Sequence, residues 1–361
     1  MIAIGFAGTA KNTGKTTAAL TVLEQAQRAG LRLGLTSIGY DGEALDHITG
    51  LPKPRYLAPA GTLVTTAHDV LDSGTAKLQL IETLDSSTLF GPVVLAKVEQ
   101  PGSLVLVGPN HKAGLRSALQ RLEELGVDLA LVDGALNRLA PMSVCDGLIL
   151  STGAAYDQRI PVIADHAYAL YRLFRLPVLP PAADIQDENF VLTYSGGKTK
   201  TLPGTSLLTK EAARDLCQLI STPVSCLEIP GVCAPDAILD LIECGLSQLA
   251  GGQLVFRSAL NLAASKDART WLKVFNRALS LGIKIFVRES IPLRCVTVNP
   301  IFPEFTTRSG QYQYGRVDAD KLIEVVTTRL SDIPVVNVMD KPQPDLLGWL
   351  EIPIKGKNHE P

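Results

Sequence analysis

The chain has 361 residues, 46% of them apolar and 19% charged, with a formal net charge of -2. That length accommodates two domains with full cores, and the balance of apolar and charged residues is that of an ordered globular chain rather than a disordered one. The near-neutral charge, with Lys and Arg scattered rather than massed, gives no electrostatic basis for nucleic-acid binding, and no uninterrupted apolar run reaches the length of a membrane span.

Residues 2–7 are apolar and read as a short buried strand; they lack the basic stretch and cleavage site of a secretory signal. Gly8-Thr9-Ala10-Lys11-Asn12-Thr13-Gly14-Lys15-Thr16-Thr17 follows, and residues 18–26 then read as a helix. Strand, Gly-rich loop, Gly-Lys-Thr and helix together describe a phosphate-binding loop. Backbone N–H groups of such a loop converge where the helix dipole adds positive charge. Lys15 would supply a full charge to the outer phosphates, and the Thr16 hydroxyl would sit on Mg²⁺. A strict loop of this type has Gly where Thr9 stands. A plain connecting turn is the alternative, but it requires no lysine at the helix start.

Gly30 is placed to stop the helix, and residues 31–38 read as a second buried parallel strand. Asp41, Gly42 and Glu43 follow at its carboxyl end, where ligands sit in open α/β sheets. Asp41, with Glu43, is a candidate to approach Mg²⁺ or the attacking group; an ordinary Asp-Gly turn is the alternative. Residues 44–90 read as a long excursion of the kind used for binding loops or lids. In it Lys53, Arg55 and His68 could contact an anionic substrate or simply be solvated. Residues 93–107 read as a hairpin turning at Pro101-Gly102, and residues 113–125 as a helix.

Residues 128–133 form a buried strand ending in an acid, Asp133, placed to hold Mg²⁺ directly or through water, or to polarise the attacking group. Asn137 and Arg138 come next, and Arg138 could neutralise phosphate charge. Residues 146–150 run as a strand into the small-residue loop Ser151-Thr152-Gly153-Ala154-Ala155, which permits close backbone approach to a ligand. In the apolar helix 160–174, His166 reads as structural. Pro177, Pro180 and Pro181 mark a domain boundary. Beyond it, Gly196-Gly197-Lys198-Thr199 is followed by extended chain rather than a helix, so a hairpin is expected and not a second phosphate loop. The remainder alternates strand and helix, with Tyr312, Tyr314 and Arg316 in a polar loop and a Pro-rich, loosely held tail from Asp340. The six cysteines form no Cys-x-x-Cys pair and read as reduced core residues of a cytosolic protein.

The expected architecture is α/β: a phosphate-loop domain over residues 1–181 with a mostly parallel, doubly wound sheet, an α/β domain over 182–345, and a tail over 346–361.

Three strings occur in order: Gly8 to Thr17, Thr36-Ser37-Ile38-Gly39 with Asp41-Gly42-Glu43, and Leu131-Val132-Asp133-Gly134-Ala135-Leu136. Together they resemble the dethiobiotin synthetase and cobyrinate amidase branch of P-loop NTPases, related to MinD. The resemblance covers about the first 150 to 180 residues. It departs at Asp133, where that branch has Glu, and at Leu136-Asn137-Arg138, which replaces a second Gly. Thr152-Gly153-Ala154-Ala155 adds a looser likeness to the P-loop protein that accompanies cobalamin-dependent amino-acid aminomutases. The resemblance implies ATP with Mg²⁺, Lys15, Asp41 and Asp133 as catalytic groups, and Thr16, Asp41 and Asp133 at the metal. It also implies action on a protein partner, such as reactivation of an aminomutase, and a homodimer in the cytoplasm. The alternatives are an ATP-dependent synthetase or kinase acting on a small carboxylate or hydroxyl, and a nucleotide-binding module without turnover.

Overall fold

The computed structural model describes residues 1–41, 55–134, 139–179, 189–264, 267–306 and 310–350. The chain forms two compact units, Met1–Ala164 with Pro292–Pro361, and Asp165–Ile291. Unit 1 opens with β1 (Ile2–Gly8), α1 (Lys15–Arg28), β2 (Leu33–Ser37), β3 (Gly39–Asp41), β4 (Tyr56–Ala58) and β5 (Leu63–Ala67). It continues through β6 (Lys77–Thr88), β7 (Gly91–Gln100), β8 (Gly102–Leu104), β9 (Leu106–Gly108), α2 (Lys112–Glu124), β10 (Leu129–Asp133) and β11 (Gly147–Gly153). The division between units falls inside α3 (Ile160–Phe174). Unit 2 holds β12 (Phe190–Tyr194), β13 (Thr199–Leu202), α4 (Lys210–Leu219), β14 (Val224–Ile229), α5 (Pro235–Cys244) and α6 (Leu246–Leu249). Its remaining elements are β15 (Gln253–Ser258), α7 (Ala259–Ala263), α8 (Arg269–Ser280) and β16 (Lys284–Glu289). The chain then returns to unit 1 as β17 (Leu293–Asn299), β18 (Ile301–Thr306), β19 (Gln311–Arg316), α9 (Ala319–Arg329) and β20 (Val335–Asn337).

The large sheet of unit 1 has the order β20-β17-β11-β1-β10-β2-β5-β7-β6. From β20 to β5 every neighbouring pair is parallel, while β7 and β6 are added antiparallel at one edge. Its central strands are continuous apolar runs with both faces covered, as parallel sheets require. Ala18, Ala19, Val22, Leu23 and Ala26 of α1 pack with Ile4, Phe6, Leu35 and Leu131 of the sheet in one core cluster. The spacing of those five residues is the stripe of a helix lying on a sheet. Unit 2 carries its own sheet, β13-β12-β14-β15-β16, parallel over β14, β15 and β16. The chain is thus mixed α/β with a large, mostly parallel sheet.

Several expectations are corrected. The second unit is not the span 182–345. β17 and β20 complete the large sheet, so unit 2 is inserted between β11 and β17. The hairpin does not turn at Pro101-Gly102. β7 pairs with β6 around Leu89-Phe90, and β8 leaves to pair with β4. Proline lacks the N–H a ladder needs, and here it marks a change of partner strand rather than a reversal. Tyr312, Tyr314 and Arg316 lie on β19, paired with β18, not in a loop. The chain after Asp340 is held at least to Leu350. Leu346 and Leu350 are fully buried, and the Gln25 side chain bonds Pro344, Leu346 and Leu347. Cys145, Cys233 and Cys295 are buried, but Cys217 and Cys226 are half-buried and Cys244 is exposed. Burial pushes the thiols of Cys233 and Cys295 up to about 12, so neither is a ready nucleophile. The turn at Gly196-Gly197 joins β12 and β13 as expected. Among the described residues no helix is long and apolar enough to cross a membrane.

Candidate functional site at the carboxyl ends of the parallel strands

β1 lies between β10 and β11, and residues 9–14 leave its carboxyl end to begin α1. The connection is braced on the β11 side. Thr9 N–H donates to the Ser151 carbonyl (2.9 Å), and the Thr9 hydroxyl donates to the Thr152 hydroxyl (3.0 Å). Thr13 is buried and its hydroxyl donates to the Ala10 carbonyl at 2.9 Å, closing the loop on itself. Asn12 holds φ of 64° and Gly14 φ of 89°, both left-handed. A Cβ at Gly14 would also stand 2.8 Å from Val338 Cγ1 and 3.3 Å from Asn299 Cβ, so conformation and space both demand glycine there.

Gly14 is the N-cap residue of α1 and has no side chain to cap it. α2, α4, α7 and α9 are each capped by their own side chain, from His111, Thr209, Ser258 and Asp318. The first N–H groups of α1 therefore lack that satisfaction, and its first turn carries no acid. Donors and dipole of that kind suit an anion.

Lys15 opens α1 and its Nζ donates to Asp133 Oδ2. Asp133 ends β10, the strand beside β1, and its side chain is 3% exposed against 18% for Lys15. A carboxylate so buried persists only with a partner. Its second oxygen, Oδ1, accepts from the Tyr56 hydroxyl at 2.8 Å. The Asp133 carbonyl accepts from Ile38 N–H at 2.7 Å, which ties β10 to the end of β2. Asn299, at the end of β17, donates from Nδ2 to the Asn12 carbonyl (3.0 Å) and accepts from Ile301 N–H at Oδ1 (2.9 Å).

Gly8 ends β1, Thr9, Ala10, Lys11, Asn12, Thr13 and Gly14 form the connection, and Lys15, Thr16 and Thr17 open α1; the Lys15–Asp133 pair joins two candidate residues whose mutual contact sequence reasoning did not name. Asp41 is the last residue of β3 and its backbone pairs with Leu106 of β9; its side chain lies outside the described residues. Glu43, Lys53, Asn137 and Arg138 also lie outside them. His68 is exposed and its ring contacts Asp69 at 3.2 Å. Arg55 Nε is buried without a hydrogen-bond partner among the described residues. Sequence reasoning missed Tyr56 and Asn299. Asn299 was visible only as the end of a strand before Pro300, and Tyr56 sits 77 residues from Asp133 with no motif around it.

Among the described residues no three His, Cys, Asp or Glu side chains gather as a metal cluster. The oxygen donors near the loop, the Thr16 hydroxyl and the Asp133 carboxylate, are of the type that suits Mg²⁺, which keeps waters and takes few protein ligands. Comparison with known protein families, curated proteins and solved structures finds no match in any of the three.

Proposed function

We propose that the chain is a Mg²⁺-dependent P-loop ATPase whose nucleotide state acts on a partner protein. The observation that carries this reading is the pairing of Lys15, at the start of an uncapped helix, with buried Asp133 at the end of the adjacent parallel strand. The arrangement suits phosphoryl chemistry, which asks of a protein mainly positioning and charge.

In this reading the triphosphate lies against the loop amides and the first turn of α1. Lys15 turns from Asp133 to the phosphates. Asp133, buried and losing the Lys15 charge, would then be balanced by another cation. When bound, Mg²⁺ supplies that charge and neutralises the phosphates. Thr16 and Asp133 are the residues that would hold it, with Asp41 as the third group the sequence offers. Water attacks the γ-phosphorus, the bond to the β–γ bridging oxygen breaks, and ADP and phosphate leave. Reactivation of a cobalamin-dependent aminomutase is the partner reading that the sequence resemblance supplies.

A second reading, synthetase or kinase, draws on one feature. A cavity of about 460 Å³ opens directly after Gly153, lined by Ala154, Ala155, Tyr156, Arg159, Phe302 and Pro303. It begins two residues beyond the Thr9–Thr152 hydrogen bond and has room for a small acceptor.

Equilibrium binding of ATP to the wild type and to Lys15→Ala tests the proposal. Loss of tight binding is expected in the variant, and retained affinity sinks the assignment. ADP release stimulated by a protein favours the first reading, and stimulation by a metabolite favours the second.

A further inference from the structure

We infer that Tyr56 is a positioning residue that keeps Asp133 oriented when Lys15 leaves it for a nucleotide. This rests on the ATPase reading above. Asp133 has its main chain fixed between two strands: Phe6 of β1 and Ser37 of β2 are its register partners, and Ile38, just past β2, bonds its carbonyl. What remains adjustable is the carboxylate. Lys15 holds Oδ2 and Tyr56 holds Oδ1.

These two donors differ in what a ligand does to them. Lys15 opens the helix directly after the loop that would receive phosphate, so binding would redirect it. Tyr56 belongs to β4, which is paired antiparallel with β8 through Tyr56 and Leu104. Tyr56 is 2% exposed and shares a core cluster with Ala58, Leu104, Leu106 and the α1 residues Ala18 and Val22. The core residues named here lie outside 9–14, so this packing of Tyr56 is retained while Lys15 moves. A carboxylate held at one oxygen presents the other in a fixed direction. A carboxylate that lost both contacts would be less tightly oriented, and part of any metal affinity would go into orienting it.

The plain alternative is that Tyr56 only satisfies its own buried hydroxyl in the core. The two roles separate in the metal dependence of nucleotide binding. For each protein, ADP affinity is measured by titration calorimetry with Mg²⁺ and with chelator, and the ratio of the two affinities is taken. In the wild type, Mg²⁺ should tighten binding. In Tyr56→Phe, which keeps the ring and loses one oxygen, that ratio should fall by about 10-fold, the scale of one hydrogen bond to a charged group. Its chelator affinity should stay at the wild-type value. Tyr56→His, which retains a donor, should keep more of the ratio than Tyr56→Phe. In an Asp133→Asn background, adding Tyr56→Phe should change nothing further, since the tyrosine acts through that carboxylate.

A Tyr56→Phe protein with the full wild-type ratio would overturn the inference, as would an equal loss on adding it to Asp133→Asn. A wild type that binds ADP in neither condition would remove the ATPase reading and this inference with it. That outcome differs visibly from a wild type that binds normally and a ratio indifferent to Tyr56.

Discussion

The two units are built alike and equipped differently. Each has parallel strands alternating with helices. In unit 2 a largely buried charge pair joins two strands of one sheet. Arg288 of β16 grips both oxygens of Glu228 on β14 (2.9 and 2.6 Å) and gives its remaining nitrogen to the Leu179 carbonyl (3.1 Å). In unit 1 the corresponding pair joins the first residue of α1, Lys15, to a strand end, Asp133, and the N-cap of that helix is a bare glycine. A bidentate Arg locks, whereas a single Lys can be exchanged for another cation or drawn to another anion. Parallel α/β construction therefore does not by itself make a site. Helices without a side-chain cap occur in both units, at α1 in the first and at α5 and α8 in the second, so the site reading attaches to the unit where such a helix starts with a lysine that reaches a buried carboxylate on the neighbouring strand.

Breaking each pair in turn is the sharpest test of that contrast. Lys15→Ala should cost the largest effect, more than about 100-fold in ATP affinity if its charge meets the phosphates. It also strips Asp133 of a counter-charge, so Lys15→Ala with Asp133→Asn should be more stable to urea than Lys15→Ala alone. Glu228→Ala should destabilise the protein by about 3 kcal/mol, because it removes the carboxylate that balances a largely buried guanidinium. Its ATP affinity, measured by the same titration, should remain that of the wild type. A loss of affinity there would show that this pair also serves the site.

A weaker test uses pH. His166 on α3 is 1% exposed, and burial is the chief cause that pushes its imidazole from the ordinary 6.5 down to about 4; Asp267 acts against that shift and Arg269 with it. The unfolded chain therefore takes up a proton before the folded one does. Stability contributed by the neutral ring is complete above about pH 6.5, falls between there and about pH 4, and levels off below. The total is up to about 3 kcal/mol. Urea midpoints collected across that window should fall less steeply in His166→Gln than in the wild type. Parallel curves would mean the ring protonates without cost.

What could be read in advance follows the range of the interactions. The β1–loop–α1 unit was legible because glycine, lysine and apolar period are all local, and Asp133 because a buried strand ending in an acid is local too. The return of β17 and β20 to the first sheet was not legible. Residues 283–287 and 293–298 read as similar apolar strands, yet β16 joins one sheet and β17 the other. Nothing in their composition says which, since partner choice is fixed by packing across more than a hundred residues. Tyr56 and Asn299 were hidden for the same reason. Each matters through a contact with a residue remote in sequence, 77 and 287 positions away.

The segment after Asp340 shows how a local reading can mislead in the other direction. Its prolines suggested loose chain, but proline only denies a backbone donor and leaves side chains free to pack. Leu346 and Leu350 are buried in the same cluster as α1, and Gln25 on that helix accounts for three hydrogen bonds: to the Pro344 carbonyl (2.7 Å) and from the N–H groups of Leu346 and Leu347 (3.0 Å each). α1 is thus clasped from the side opposite its phosphate-loop chemistry in sequence, ten residues beyond Lys15. Gln25→Ala should cost about 1 to 2 kcal/mol, less than three full bonds because water can replace part of them at a half-buried position. Amide exchange should rise over residues 344–350 and stay unchanged over β1 and β10. ATP affinity should move little, because the helix start is fixed by Gly14, Asn299 and the strands rather than by its later turns. If instead Gln25→Ala weakens ATP binding as much as it loosens the segment, then the segment helps aim α1, and the phosphate end of that helix is less self-sufficient than its local geometry implies.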